Sequence, residues 1–135
     1  MQRYTQELLG FLHLFEEQTK VQALGCFPNA ALLFVVRPGE GGLAIGRGGE
    51  RVRRVAWLLK RPVNVVELSD DPVKFAENLI FPAKGKVYMG ENRTVILEGK
   101  GARFKSLVLG PQRQHLRHLQ GVFAEYFKDW TLEVR

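Results

Sequence analysis

Residues 42–55 read GLAIGRGGERVRRV, an apolar run that enters a glycine loop and leaves it as a basic amphipathic helix. Gly46, Gly48 and Gly49 have no Cβ, so a ligand can approach the main chain closely and positive φ is allowed at each position. Arg47 places a cation between these glycines. A helix beginning at Gly48 or Gly49 would point its free N–H groups and its positive dipole end at the same place. This stretch predicts a site for a polyanion.

Composition and charge narrow the class of protein. Hydrophobic residues make up 45% of the 135-residue chain, which is enough for a packed core. The formal net charge of +6 and the pI of about 9.8 favour a phosphate-rich or acidic partner. Cys26 is the single cysteine, which excludes an intramolecular disulfide and favours a reducing compartment. Residues 1–20 mix charged and apolar residues, so we expect neither a signal peptide nor a membrane association, and we predict a cytoplasmic protein.

The chain repeats itself at an offset of 64 residues, which places Gly46 over Gly110. At this offset residues 43–46, LAIG, align with residues 107–110, LVLG, and apolar positions of the following helix also coincide. A repeat of this kind indicates two copies of one supersecondary unit. We therefore predict two domains, residues 1–70 and 71–135.

Each copy is predicted to have the element order αββαβ. For the first copy, the apolar spacing predicts a helix over 6–19, strands over 21–24 and 30–36, a helix over 50–60 and a strand over 63–68. For the second copy, it predicts a helix over 73–80 capped by Asp71 and Pro72, strands over 86–89 and 93–98, a helix over 111–127 and a strand over 130–134. The expected class is α+β, with helices on one face of a three-stranded sheet in each unit. Units this small bury little surface alone, so we expect them to pack rigidly together.

Two such units, the first carrying residues 44–50 as AIGRGGE, resemble the paired KH domains of the NusA family. The chain is most similar to the short archaeal NusA-like proteins, which consist of little more than those two domains. Residues 37–49, RPGEGGLAIGRGG, and residues 65–72, VVELSDDP, carry the likeness. The resemblance implies bacterial-type (type II) KH folds, single-stranded RNA as the ligand, and a role in transcription termination or antitermination alongside RNA polymerase.

The candidate RNA-binding residues of the first unit surround its glycine loop. Arg51 is the favoured helix contact because it lies next to the loop, whereas Arg53 and Arg54 belong either to the contact or to a solvated face. Leu43 and Ile45 form either an apolar floor for a base or part of the core. The predicted RNA-binding set is Ile45, Gly46, Arg47, Gly48, Gly49, Arg51, Arg53 and Arg54.

The second loop, residues 110–113, departs from the pattern because it reads GPQR and keeps only the first glycine. Pro111 removes an N–H donor, while Gln112 and Arg113 put side chains where a phosphate would approach. We expect the second unit either to bind RNA more weakly or in another geometry, or to serve a structural role. Its candidate RNA-binding residues are Lys105, Gly110, Pro111, Gln112, Arg113 and Arg117.

Three further side chains have alternative interpretations. His115 and His118 lie three residues apart on a helix, but no third ligand with a usual metal spacing accompanies them, so no metal and no cofactor are predicted. Trp57 lies about 150° from the apolar stripe of its helix. Its ring therefore docks on the other unit or on a partner, or stays in solvent.

Other classes of function were weighed against RNA binding. Residues 39–44 formally match the dinucleotide motif G-x-G-x-x-A, with Glu67 in the acidic position, but the glycines continue to Gly49 and the chain has too few βα units for a doubly wound fold. We therefore predict no enzymatic activity. We expect the protein to be a monomer. A protein-docking module, contacting RNA polymerase or ribosomal machinery with little RNA binding of its own, is the open alternative, as is single-stranded DNA as the ligand. Salt dependence separates phosphate binding from apolar docking.

Overall fold

The computed structural model describes residues 4–135 and is α+β. The chain divides into two compact units, Met1–Leu68 and Ser69–Arg135. Each unit contains one three-stranded sheet. Among the helices that the structure describes, none has the length and apolarity needed to span a bilayer.

The first unit has the order helix, two strands, two helices, strand. Its elements are α1 (Gln6–Thr19), β1 (Gly25–Pro28), β2 (Leu32–Val36), α2 (Gly41–Ile45), α3 (Glu50–Leu59) and β3 (Val63–Glu67). The central strand β2 pairs antiparallel with β1 and parallel with β3. Alternate β2 side chains, Leu32, Phe34 and Val36, face the helices and pack in one core cluster with Phe15 of α1 and Val55 of α3.

The second unit repeats this order. Its elements are α4 (Pro72–Ile80), β4 (Lys86–Met89), β5 (Thr94–Glu98), α5 (Gly101–Leu109), α6 (Gln114–Tyr126) and β6 (Thr131–Val134). The central strand β5 pairs antiparallel with β4 and parallel with β6. Its core is more aromatic, because Phe75 of α4 packs against Phe123, Tyr126 and Phe127 with ring centroids 5.6–6.2 Å apart.

Local sequence signals set several helix ends. The Thr5 hydroxyl accepts a hydrogen bond from the N–H of Leu8 and caps α1. Asp71 caps α4 by accepting from the N–H of Val73, and Pro72 occupies the first helical position, as predicted. α3 ends at Lys60, which adopts the left-handed conformation two residues before Pro62.

The first strand differs from the prediction. β1 covers Gly25–Pro28 rather than residues 21–24. The hydroxyl of Thr19 accepts from the N–H of Val21, and this turn carries Val21 into the core before pairing with β2 begins. Gly25, which lies between the two predicted strands, is buried and pairs with Val35.

Two helices, α2 and α5, were not predicted at all. The sequence did not predict α2 because three of the residues 39–42 are glycines, and glycine is a poor helix former. α5 had a usable signal, because Phe104, Leu107 and Val108 recur at helical spacing. The principal helix α3 begins at Glu50, as in the predicted range 50–60 and not at Gly48 or Gly49, because residues 47–49 form a separate 3-10 turn.

Candidate nucleic-acid interface

The glycine loop, defined here as Gly46–Gly49, joins α2 to α3. Gly46 has φ 82° and ψ 171°, a backbone conformation that is essentially restricted to glycine. Gly48 and Gly49 both adopt the left-handed conformation, with φ of 60° and 77°. A Cβ on Gly48 would meet no atom within 4 Å, so this part of the loop is open to solvent. The loop therefore presents bare main chain immediately before the first turn of α3.

Arg51 braces the loop. Its Nη1 donates hydrogen bonds to the carbonyl oxygens of Thr19 at 3.0 Å and of Leu43 at 3.2 Å, so it ties the end of α1 to α2. A Cβ on Gly46 would lie 2.7 Å from the Arg51 Cγ, which shows how closely the side chain crosses the loop. The predicted contact residue therefore has a bracing role, with its guanidinium directed at protein carbonyls.

Of the other three arginines in the predicted RNA-binding set, one binds the glycine loop and two have free side chains. Arg53 Nη1 donates to the carbonyl oxygen of Gly48 at 2.6 Å and so holds the loop from the helix side. Arg47 and Arg54 are exposed, and in the part of the chain that the structure describes their guanidinium groups form no hydrogen bond or ion pair with protein. These two cations are available to an anionic ligand.

The apolar residues before the loop lie at the surface. Leu43 is 54% exposed and Ile45, the last residue of α2, is 38% exposed, whereas Ala44 between them is fully buried. Of the two interpretations, core or exposed floor, the burial favours the exposed floor beside the loop. α2 anchors this floor through Ala44 in the core cluster.

Glu67 is a structural residue of the site that the sequence analysis missed. Its carboxylate accepts hydrogen bonds from the N–H groups of Gly39 at 2.9 Å and Gly41 at 3.0 Å, which fixes the segment leading into α2. A Cβ on Gly41 would lie 2.5 Å from a Glu67 carboxylate oxygen, so a side chain there would displace this carboxylate from the two N–H groups. The same contacts argue against the dinucleotide motif, because Glu67 binds the glycine segment itself. The signal was its place at the end of β3, whose partner β2 leads into that segment.

The second loop has nearly the same backbone as the first although it lacks the second and third glycines. Gly110 has φ 68° and ψ −179°, and Gln112 and Arg113 adopt the left-handed conformation with φ of 52° and 60°. His115 takes the place of Arg51, since a Cβ on Gly110 would lie 2.7 Å from the His115 Cβ. The helix predicted over 111–127 begins only at Gln114, as α6, because residues Pro111–Arg113 form a separate 3-10 turn with Pro111 at its start.

The positive charges near the second loop come from its arginines and lysine and not from its histidines. Burial lowers the pKa of His115 and of His118, and the charge of His115 lowers the pKa of His118 further. Both imidazoles are therefore neutral near pH 7. Lys105, Arg113 and Arg117 are exposed. Within residues 4–135, no group of three or more histidine, cysteine or acidic side chains is placed to hold a metal ion.

Comparison with known proteins identifies relatives by sequence and by structure. No family model matches the chain. The probable transcription termination protein NusA of Halobacterium salinarum is 30% identical over 128 residues, which cover 93% of this chain and 92% of that protein. The protein of the same name from Methanocaldococcus jannaschii is 36% identical over 81 residues, so the match spans 59% of this chain and less than half, 44%, of that relative.

The architecture agrees with a solved structure of similar size. The crystal structure of APE1850 superposes with a TM-score of 0.72 and 26% identity, covering 98% of this chain and all of that one. The Halobacterium relative, matched over nearly its full length, settles the family. The chain belongs to the archaeal NusA-like family of probable transcription termination proteins.

Proposed function

We propose that this protein binds single-stranded RNA through two tandem type II KH domains, with the glycine loop as the principal clamp, and that it does so in transcription termination or antitermination. The observation that carries the proposal is the open loop, in which Gly46, Gly48 and Gly49 have positive φ directly before a basic helix. KH domains clamp backbone nucleotides with such a Gly-x-x-Gly loop. The order of elements in each unit and the family of the chain support the same interpretation.

The residues around the loop have different roles in the proposed clamp. The bare main chain at Gly48 lets a phosphate approach without meeting a side chain. Arg47 and Arg54 supply the free positive charge, whereas Arg51 and Arg53 hold the loop in shape. Ile45 offers an exposed apolar floor on which a base rests.

The second loop makes a weaker contact in this proposal. Its main chain follows the same course, but Gln112 and Arg113 carry side chains at the positions where Gly48 and Gly49 have none. RNA contact then falls to the exposed cations Lys105, Arg113 and Arg117 together with the remaining loop residues Gly110 and Pro111. The proposal also includes RNA polymerase as a partner and a monomeric, cytoplasmic protein without enzymatic activity.

The test is fluorescence anisotropy with single-stranded RNA, duplex RNA and single-stranded DNA. The loop variant is Arg47→Asp with Gly48→Asp, which the fold tolerates because Asp accepts the left-handed conformation and Gly48 has open space around it. The control is Gln22→Asp with Lys74→Asp, which changes the formal charge equally at two exposed positions away from the loop. Circular dichroism and thermal melts verify that both variants are folded.

The proposal expects wild type and control to bind single-stranded RNA in preference to duplex, and the loop variant to lose most of this binding. The two free arginines, Arg47 and Arg54, predict a slope of about −1.4 in log K against log salt concentration. Equal RNA affinity of the folded loop variant and the control would refute the clamp. Binding that is insensitive to salt, or no binding of RNA, would favour the protein-docking module instead.

A further inference from the structure

Trp57 is a large aromatic side chain left in solvent. It lies on α3 about 200° around the helix from Val55, which is fully buried in the core. The tryptophan is 77% exposed. Packed aromatic rings bury most of their surface, so Trp57 makes little contribution to the core of its unit.

The face of α3 that carries Trp57 begins at the glycine loop. Arg53 and Arg54 precede Trp57 by four and three residues and therefore lie on the same side of the helix. Arg53 reaches back to the Gly48 carbonyl oxygen, so the face is continuous with the loop, and Trp57 lies about one helical turn, roughly 5 Å, further along. Lys60, also exposed, follows at the next turn, and Glu50 is the acidic group at the loop end of the face.

The positively charged residues around Trp57 favour a nucleic-acid partner over a protein partner. Protein interfaces are enriched in tryptophan and arginine, but they are depleted of lysine and of charged residues at their buried centres. Trp57 instead lies between the Arg53–Arg54 pair and Lys60, so an apolar protein surface placed on its ring would desolvate these cations. A single RNA strand satisfies both features, since its phosphates pair with the cations and its bases stack on the ring.

We propose that Trp57 stacks on a base of the same RNA strand that the glycine loop clamps, and so extends the RNA site along the outer face of α3. This proposal rests on the proposed function, because the strand must first be held at Gly46–Gly49. The clamp accounts for about four nucleotides. Trp57 therefore contacts a nucleotide beyond them.

The experiment measures RNA affinity for ring variants of Trp57 with strands of two lengths. Trp57→Leu removes the ring but keeps an apolar side chain, and Trp57→Phe keeps a smaller ring. Leu58→Ala is the matched control, since Leu58 is the next residue on α3 and is 40% exposed. A second readout is tryptophan emission in a Trp130→Phe background, where Trp57 is the single tryptophan.

Stacking predicts that Trp57→Leu binds an octanucleotide about 5–30-fold more weakly, while Trp57→Phe and Leu58→Ala stay within about threefold of wild type. A tetranucleotide binds all four proteins about equally, because the clamp alone spans it. Octanucleotide quenches the Trp57 emission, and tetranucleotide leaves it nearly unchanged.

Octanucleotide affinity that is unchanged in Trp57→Leu but lost in the Arg47→Asp/Gly48→Asp variant would overturn the stacking proposal and leave the clamp in place. An unquenched Trp57 at saturating octanucleotide would overturn it too. Absence of RNA binding by wild type would refute the proposed function and the stacking together.

Discussion

Substitution by alanine is expected to destabilise the first unit strongly at Gly46 and only slightly at Gly48. Gly46→Ala places a side chain at φ 82° and ψ 171°, which costs about 1–3 kcal/mol in backbone strain. Its Cβ would also lie 2.7 Å from the Arg51 Cγ. Moving Arg51 aside weakens its hydrogen bonds to Thr19 and Leu43, which adds about 1.5–3 kcal/mol for a charged donor. The expected destabilisation is about 3–5 kcal/mol.

Gly48→Ala is the matched comparison. Its φ of 60° and ψ of 19° lie in the left-handed region, and a Cβ there meets nothing within 4 Å. A strain of about 1 kcal/mol is largely offset because alanine has less conformational entropy to lose on folding. The net change should stay within about 1 kcal/mol. The two variants should therefore differ by at least about 2 kcal/mol, or roughly 8–16 °C in Tm for a unit of this size.

The assay must report the first unit alone, since the chain has two compact units. Cys26 serves this purpose because it is fully buried in the first unit, and its labelling by a thiol reagent follows the opening of that unit. Gly46→Ala should label far faster than wild type, and Gly48→Ala at nearly the wild-type rate. Gly110→Ala, with the equivalent crowding against His115 in the second unit, is the control and should leave Cys26 labelling unchanged. Equal labelling of Gly46→Ala and Gly48→Ala would refute the reasoning.

Two further outcomes follow from the arginines and the thiol. Arg51→Ala should destabilise the first unit by about 1.5–3 kcal/mol in urea melts, because two carbonyl oxygens lose a charged donor. Arg54→Ala should change the stability by no more than about 0.5 kcal/mol and should lower the salt slope of RNA binding by about 0.7. If Arg54→Ala were the more destabilising variant, the bracing role of Arg51 would be contradicted. Burial, opposed by the weaker influence of Arg61, raises the pKa of Cys26 to about 12. Folding therefore favours the neutral thiol. The contribution of this thiol to the free energy of unfolding is fully present below the unfolded pKa of about 8.5, and it is lost as the pH rises from there toward 12. Alkylation of the native protein should show no inflection near pH 8.5 and should become fast in urea; an ordinary inflection in the native protein would contradict it.

The two loops show where local sequence is a sufficient guide. Gly46, Gly48 and Gly49 permit positive φ by themselves, so the conformation of the first loop was foreseeable. Gln112 and Arg113 adopt the same conformation in the second loop although each carries a Cβ. Packing of α5 and α6 on the second sheet holds these two residues there against a local preference.

The roles of Arg51 and Arg53 depend on side-chain contacts that the helical spacing does not reveal, and one contact of Arg51 is distant in sequence. The spacing correctly placed Arg51 and Arg53 next to the loop on α3. Which of the four arginines points at protein and which at solvent depends on the carbonyl oxygens of Thr19 and Leu43 for Arg51 and of Gly48 for Arg53. Thr19 is 32 residues away along the chain, so no local pattern contains that information.

By itself, the sequence determined the α+β class, the repeat, the capped start of α4 and the position of the glycine loop before a basic helix. These features depend on backbone freedom, capping and periodicity, which act over a few residues. Only the tertiary structure decided the register of β1, the bracing by Arg51 and the anchoring of residues 39–41 by Glu67. Each of these joins segments that are far apart in the chain, and such contacts form only when the helices pack on the sheet.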